Sequence, residues 1–99
     1  ERHMAAKEIT ASVDGHTWVT SELAAVEFIP DQVSVVNMST TAADNIYVSF
    51  DNGASVAATL TPGSAQAGYS FEVSAQKVWL RRVLAGSAVE CRVVFTKKV

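Results

Sequence analysis

The sequence predicts an all-β fold: a single-domain antiparallel β-sandwich or jelly roll of about eight strands. Apolar residues recur with period two, and nowhere sustain the 3.6-residue period of a long helix. Turn signals fall roughly every eight to twelve residues, the spacing of a sandwich or small barrel. A length of 99 residues gives one hydrophobic core and little room for a second.

Taken in chain order, Ile9, Ala11 and Val13 face one way while Thr10, Ser12 and Asp14 face the other. Asp14-Gly15 is a two-residue hairpin signal, because both residue types tolerate positive φ. His16 to Thr20 follows, with Trp18 in its middle. The β-branched end of Leu23–Ile29 and the proline after it favour a strand over a short helix. Gln32 to Met38 alternates again, and Ser39 to Asp44 is a loop of small polar residues. Asn45 to Asp51 is the clearest strand, with Ile46, Val48 and Phe50 inward and Tyr47, Ser49 and Asp51 outward. Asp51-Asn52-Gly53 turns the chain. Ala54–Leu60 is a weaker strand that Thr61-Pro62-Gly63 ends, and Tyr69–Val73 is the next. Gln76–Val83 and Val89–Thr96 complete the set, the last with Val89, Cys91, Val93 and Phe95 on one face. The expected core is Ile46, Val48, Phe50, Phe71, Val78, Leu80, Val93 and Phe95. Glu1 to Met4 read as a cloning remnant and start Met, and residues 5–99 as the domain.

Hydrophobic residues make up 48% of the chain and charged residues 18%, so apolar matter is ample to offset chain entropy. The surplus points to self-association or to a partner. No signal peptide is expected, since Lys7 and Glu8 interrupt any apolar run, and no window approaches the ~18 apolar residues of a membrane span. A soluble chain made in a cytoplasm, with no membrane partner, is expected. The formal net charge is −2, but the signs are segregated. From Glu8 to Gln76 there are eight acids and no Lys or Arg; from Lys77 onward there are six bases and one acid, Glu90. Basic C-terminal strands lying beside acidic ones explain this pattern. Nucleic acid is not expected, because the overall negative charge opposes phosphate.

Catalysis needs a positioned acid, base or nucleophile. His16 is the only histidine outside the presumed remnant, and the single cysteine, Cys91, holds an inward strand position. Buried cysteine is ordinarily an inert small hydrophobe. One Cys and one His are too few for zinc. Asp44, Asn45, Asp51 and Asn52 flank one strand at opposite ends, which suits turns better than a calcium site. The sequence therefore calls for no enzyme activity, metal or cofactor. Trp18, Tyr47, Tyr69 and Trp79 fall outside the core rows, and outward Trp and Tyr suit protein contacts and sugar stacking alike. Trp79, Arg81 and Arg82, with Trp18 and Tyr47, are the candidate interface residues. On strict alternation Arg82 takes the opposite face from Trp79 and Arg81, so all three meet one partner only on an edge strand.

Val35-Val36-Asn37-Met38-Ser39, then Asn45 to Gly53, then Leu60-Thr61-Pro62-Gly63 and Tyr69-Ser70-Phe71, resemble a pattern in small tailed-phage virion proteins. In it an N-x-S strand end precedes an IYVSFD-x-G hairpin, an L-x-P-G turn and an aromatic strand. Val78-Trp79-Leu80 and Ala88 to Val94 fit its closing strands, so the resemblance spans residues 33 to 95. It implies a head decoration, neck or tail component, located in the virion. Such a part binds a capsid or tail lattice, with itself and other virion proteins as partners in a symmetric homo-oligomer. The matched positions are turn and core positions and carry over no functional residue. The alternative is a carbohydrate-binding or adhesin module that uses the same aromatics on sugar.

Overall fold

Alternating inward rows build eight strands in two four-stranded antiparallel sheets, packed as a β-sandwich. The structure is a computed structural model that describes residues 4–98. Glu1 to His3, read as a remnant, lie outside the described residues, whereas Met4 is the first residue of a strand. The strands are β1 (Met4–Val13), β2 (Glu22–Ala25), β3 (Gln32–Asn37), β4 (Ile46–Ser49), β5 (Ala58–Leu60), β6 (Gly68–Phe71), β7 (Lys77–Arg82) and β8 (Val89–Lys98).

The pairing is nested: β1 with β8, β2 with β7, β3 with β6 and β4 with β5. The chain is thus one long hairpin rolled up, its tip the loop between β4 and β5. Rolling places the strands in the orders β1-β8-β3-β6 and β2-β7-β4-β5, the jelly-roll arrangement. The tip contains the Asp51-Asn52-Gly53 turn, where Asn52 and Gly53 adopt φ of 57° and 87°.

Asp14-Gly15 does not make the expected hairpin. β1 pairs with the last strand, and the segment after Gly15 crosses to the other sheet. His16 to Thr20 accordingly forms no strand, but a single 3-10 turn at Trp18–Thr20. Gly15 is required there by crowding: a Cβ would stand 1.7 Å from the Thr20 carbonyl oxygen.

The first sheet sends Ala11, Val13, Val33, Val35, Val89, Cys91, Val93 and Phe95 inward; the second sends Ala24, Ile46, Val48, Leu60, Val78 and Leu80 to meet them. Six of the eight expected core residues are sealed from solvent. The exceptions, Phe50 and Phe71, pack against the core from its rim, because β6 is an edge strand and Phe50 lies just past β4. Their rings meet edge to face at 4.9 Å. Ser49 takes the outward face expected of it, yet is fully buried because the chain after it folds back over it. Its hydroxyl accepts the N–H of Gly53 at 2.9 Å and donates to Asp51 Oδ1 at 2.7 Å.

Charge segregation follows from topology. The basic strands β7 and β8 are each flanked on both sides, β7 by β2 and β4, and β8 by β1 and β3. Bases thereby meet acids within the chain: Arg82 pairs with Asp44 at 3.0 Å, and Arg92 faces Glu8 at 3.8 Å on the surface.

Candidate protein-docking face

Residues opposite one another in an antiparallel pair share a face. Leu23, Trp79 and Ser49 are therefore in line across β2, β7 and β4, and Arg81 and Tyr47 are in line beside them. This row lies on the outer face of the second sheet, opposite Val78 and Leu80. The 3-10 turn brings Trp18 to the same place. The Arg81 guanidinium carbon lies 4.5 Å from the centre of the Tyr47 ring and 4.9 Å from that of Trp18.

Several contacts fix this arrangement. Arg81 donates from Nη1 to the His16 carbonyl at 3.0 Å and to its neighbour's carbonyl, that of Arg82, at 3.2 Å. Its Nε is buried and has no acceptor, so the rings are the electron-rich groups facing the guanidinium. Trp18 is held from the far side by the tip of the roll. A Cβ on Gly53 would stand 2.4 Å from Trp18 Cγ, so Gly53 is required by contact as well as by its φ. Asp51 fastens that tip, its carboxylate accepting from the hydroxyl of Ser55 at 2.6 Å, the hydroxyl of Ser49 at 2.7 Å and the N–H of Ser55 at 2.9 Å. These bonds, that of the Ser55 hydroxyl first, pull its pKa down to about 2 from the model-compound value of 3.8. A depressed carboxylate pKa contributes stability above the unfolded value that is lost as pH falls through the folded value. The melting midpoint should therefore drop as pH is lowered from 3.8 towards 2, and Asp51→Asn should lose this part of the drop while starting lower at neutral pH. Calorimetry across that interval checks it.

Four of the five candidate residues, Trp18, Tyr47, Trp79 and Arg81, come together here, each half-buried. Arg82 does not join them, and its assignment to a partner contact is corrected. β7 is a central strand, so Arg82 points to the other side and is only 5% exposed. It donates to the Leu84 carbonyl at 2.8 Å, to the Ser87 carbonyl, and to Asp44. Asp44 also accepts from the Ser39 hydroxyl at 2.7 Å, and its backbone carbonyl accepts from buried Asn37 at 2.7 Å. The Ser39 bond first, then Arg82, holds the Asp44 carboxyl below its ordinary value. The Asn37-Met38-Ser39 segment thus ties one end of the sandwich together through side-chain hydrogen bonds.

The candidate nucleophile is sealed. Cys91 is fully buried, and burial, with Glu90 adding, pushes its thiol up to about 12, far from a reactive thiolate. His16 is exposed on the corner loop, where its carbonyl serves Arg81. Among the described residues no three His, Cys, Asp or Glu side chains gather as metal ligands. No helix among them is long and apolar enough to cross a membrane.

No family model matches the sequence, and no curated protein does. Among solved structures, the fold is similar to one described as Bacillus endospore appendages that form a novel family of disulfide-linked pili. That likeness has 15% identity and a TM-score of 0.49, over 99% of this chain and 88% of that one. It is also similar to Aeromonas hydrophila PliG, a periplasmic inhibitor of g-type lysozyme, at 13% identity and a TM-score of 0.43, over 98% of this chain and 87% of that one. At these scores neither likeness bears on function.

Proposed function

We propose that this chain is a non-enzymatic structural subunit that works by packing against other protein subunits, its own copies first. The observation that carries this reading is the outer face of the second sheet. There Leu23, Trp79, Arg81, Tyr47 and Trp18 form a preorganised aromatic and arginine surface backed by the tip of the roll. Trp, Tyr and Arg dominate the energetics of protein contacts, and side chains already fixed in place lose little entropy on binding. Leu23 is 47% exposed beside Trp79, and Val19 is 95% exposed beside Trp18, so apolar surface flanks the row on two sides. The assembly we assign it to is the particle of a tailed phage, on the capsid or tail lattice; the support is the run of matching segments from residue 33 to 95. A sugar module would need free ring faces, and Arg81 lies over two of these rings.

Trp79→Ala should weaken self-association or lattice binding about tenfold or more, whereas Lys97→Ala should change it little. High salt should weaken the wild-type contact only in part, because exposed ion pairs add only ~0–1 kcal/mol each. Sedimentation equilibrium of the three proteins at two salt concentrations reads both effects, and equal behaviour of the two variants sinks the assignment of this face.

A further inference from the structure

We propose that copies of this chain also join edge to edge and head to tail. The β5–β6 edge of one copy adds to the β1–β2 edge of the next, so that both sheets run on through the contact. The inference rests on the reading of the chain as a self-associating structural part and names a second, separate contact.

Strand polarity is the first support. The first sheet ends in β1 and β6, the second in β2 and β5. β1 lies against β2 and β5 against β6, so the sandwich has two open sides. Every neighbouring pair is antiparallel. With four strands in each sheet, β6 runs opposite to β1, and β5 opposite to β2. A second copy in the same orientation therefore offers an antiparallel partner to both sheets at once, the stronger pairing geometry.

The edges are also open. Among the described residues, no backbone–backbone hydrogen bond beyond the sheet pairings reaches β1, β2 or β6. β1 runs for ten residues, and its two charged residues, Lys7 and Glu8, are adjacent, which leaves Ile9 to Val13 as an uncharged edge, whereas natural edge strands are commonly short, charged or covered.

Shape makes the two sides complementary. On the β6 side Tyr69 is 54% exposed and packs on Phe71 at 4.7 Å, and Phe71 meets Phe50, which gives an aromatic row at the mouth between the layers. On the β1 side the mouth holds a cleft of about 270 Å³ lined by Ala6, Lys7, Ala25, Val26, Glu27 and Phe28, with room for one aromatic side chain. Charge does not distinguish the two sides: Glu72 lies on the β6 side, and Glu8, Glu22 and Glu27 lie on the other, with Lys7, Lys97 and Lys98 at one end of it. With Tyr69 opposite Ile9 of the next copy, the inward rows continue, and outward Ser70 falls opposite outward Glu8. A twofold β1–β1 contact would leave the aromatic row in water. A head-to-tail contact closes into a ring or grows into a filament.

Sedimentation velocity over a concentration series tests the proposal with Tyr69→Lys, with Ser70→Glu, which sets like charges opposite each other across the contact, and with the double variant Ser70→Glu/Glu8→Lys. All three positions are exposed, and unchanged melting midpoints confirm the fold. Wild type should form species larger than a dimer, each single variant should associate about tenfold more weakly or worse, and the double variant should recover most of the loss. A wild-type dimer that Tyr69→Lys leaves intact overturns the head-to-tail contact. Association that ignores all these variants while Trp79→Ala abolishes it overturns the edge contact and leaves the proposed function standing. A wild type that stays a single chain at millimolar concentration overturns both.

Discussion

Phe95→Ala should destabilise the protein by about 3–5 kcal/mol, the range for deleting a fully buried aromatic side chain. Phe95 heads the fully buried side chains by size, at 0% exposure. It sits on β8 between Lys7 of β1 and Val33 of β3. Strands on both sides hold the backbone in place, so the site cannot collapse to fill the space, and the cavity cost adds to the lost transfer energy. Phe50→Ala serves as the contrast. That ring is half-buried at the rim, where water and neighbouring side chains can fill the gap, and its loss should cost roughly 1–2 kcal/mol, in line with partial apolar burial. Denaturant unfolding of both variants gives the ordering, and a Phe50 variant as damaged as the Phe95 variant would contradict the placement of the core.

Arg82→Leu should cost about 2–3 kcal/mol, from the loss of several charge-assisted hydrogen bonds at one buried side chain. The guanidinium ties Asp44, from the loop before β4, to the Leu84 and Ser87 carbonyls of the loop after β7. Asp44 keeps 22% side-chain exposure and can rehydrate when its partner goes, which holds the cost below that of a sealed ion pair. Arg82→Lys should recover only part of the loss, because one ammonium cannot reproduce the fork that reaches three acceptors. A shifted denaturation midpoint with an unchanged slope is the expected signature for both variants.

Period two and turn chemistry made most of the fold legible. Ile46, Val48, Val78, Leu80, Val93 and Phe95 could be placed inward from alternation alone, because each strand has one wet and one dry face. The Asp51-Asn52-Gly53 turn was equally plain, and it is the tip about which the whole roll folds. Asp14-Gly15 misled for an identifiable reason: the residue pair that makes a hairpin also suits a tight corner, and only the pairing of β1 with β8, some eighty residues on, decides between them. Ser49 and Arg82 hold the faces that alternation gives them, but their burial was not legible: the turn that follows folds back over Ser49, and two loops close on Arg82. The candidate site was legible residue by residue but not as a unit. Trp18, Tyr47, Trp79 and Arg81 could each be read as outward. Nothing local shows that Arg81 spans two rings or that Gly53 backs Trp18, since these contacts join segments far apart in the chain.

The central claim is that this sandwich acts by packing against its own copies. Light scattering coupled to size-exclusion chromatography, over a concentration series of the wild-type protein, tests it most directly. The account predicts a molar mass that rises with concentration above that of a single chain and falls back when Trp79 is replaced by Ala. A mass that stays at one chain up to millimolar concentration would contradict it.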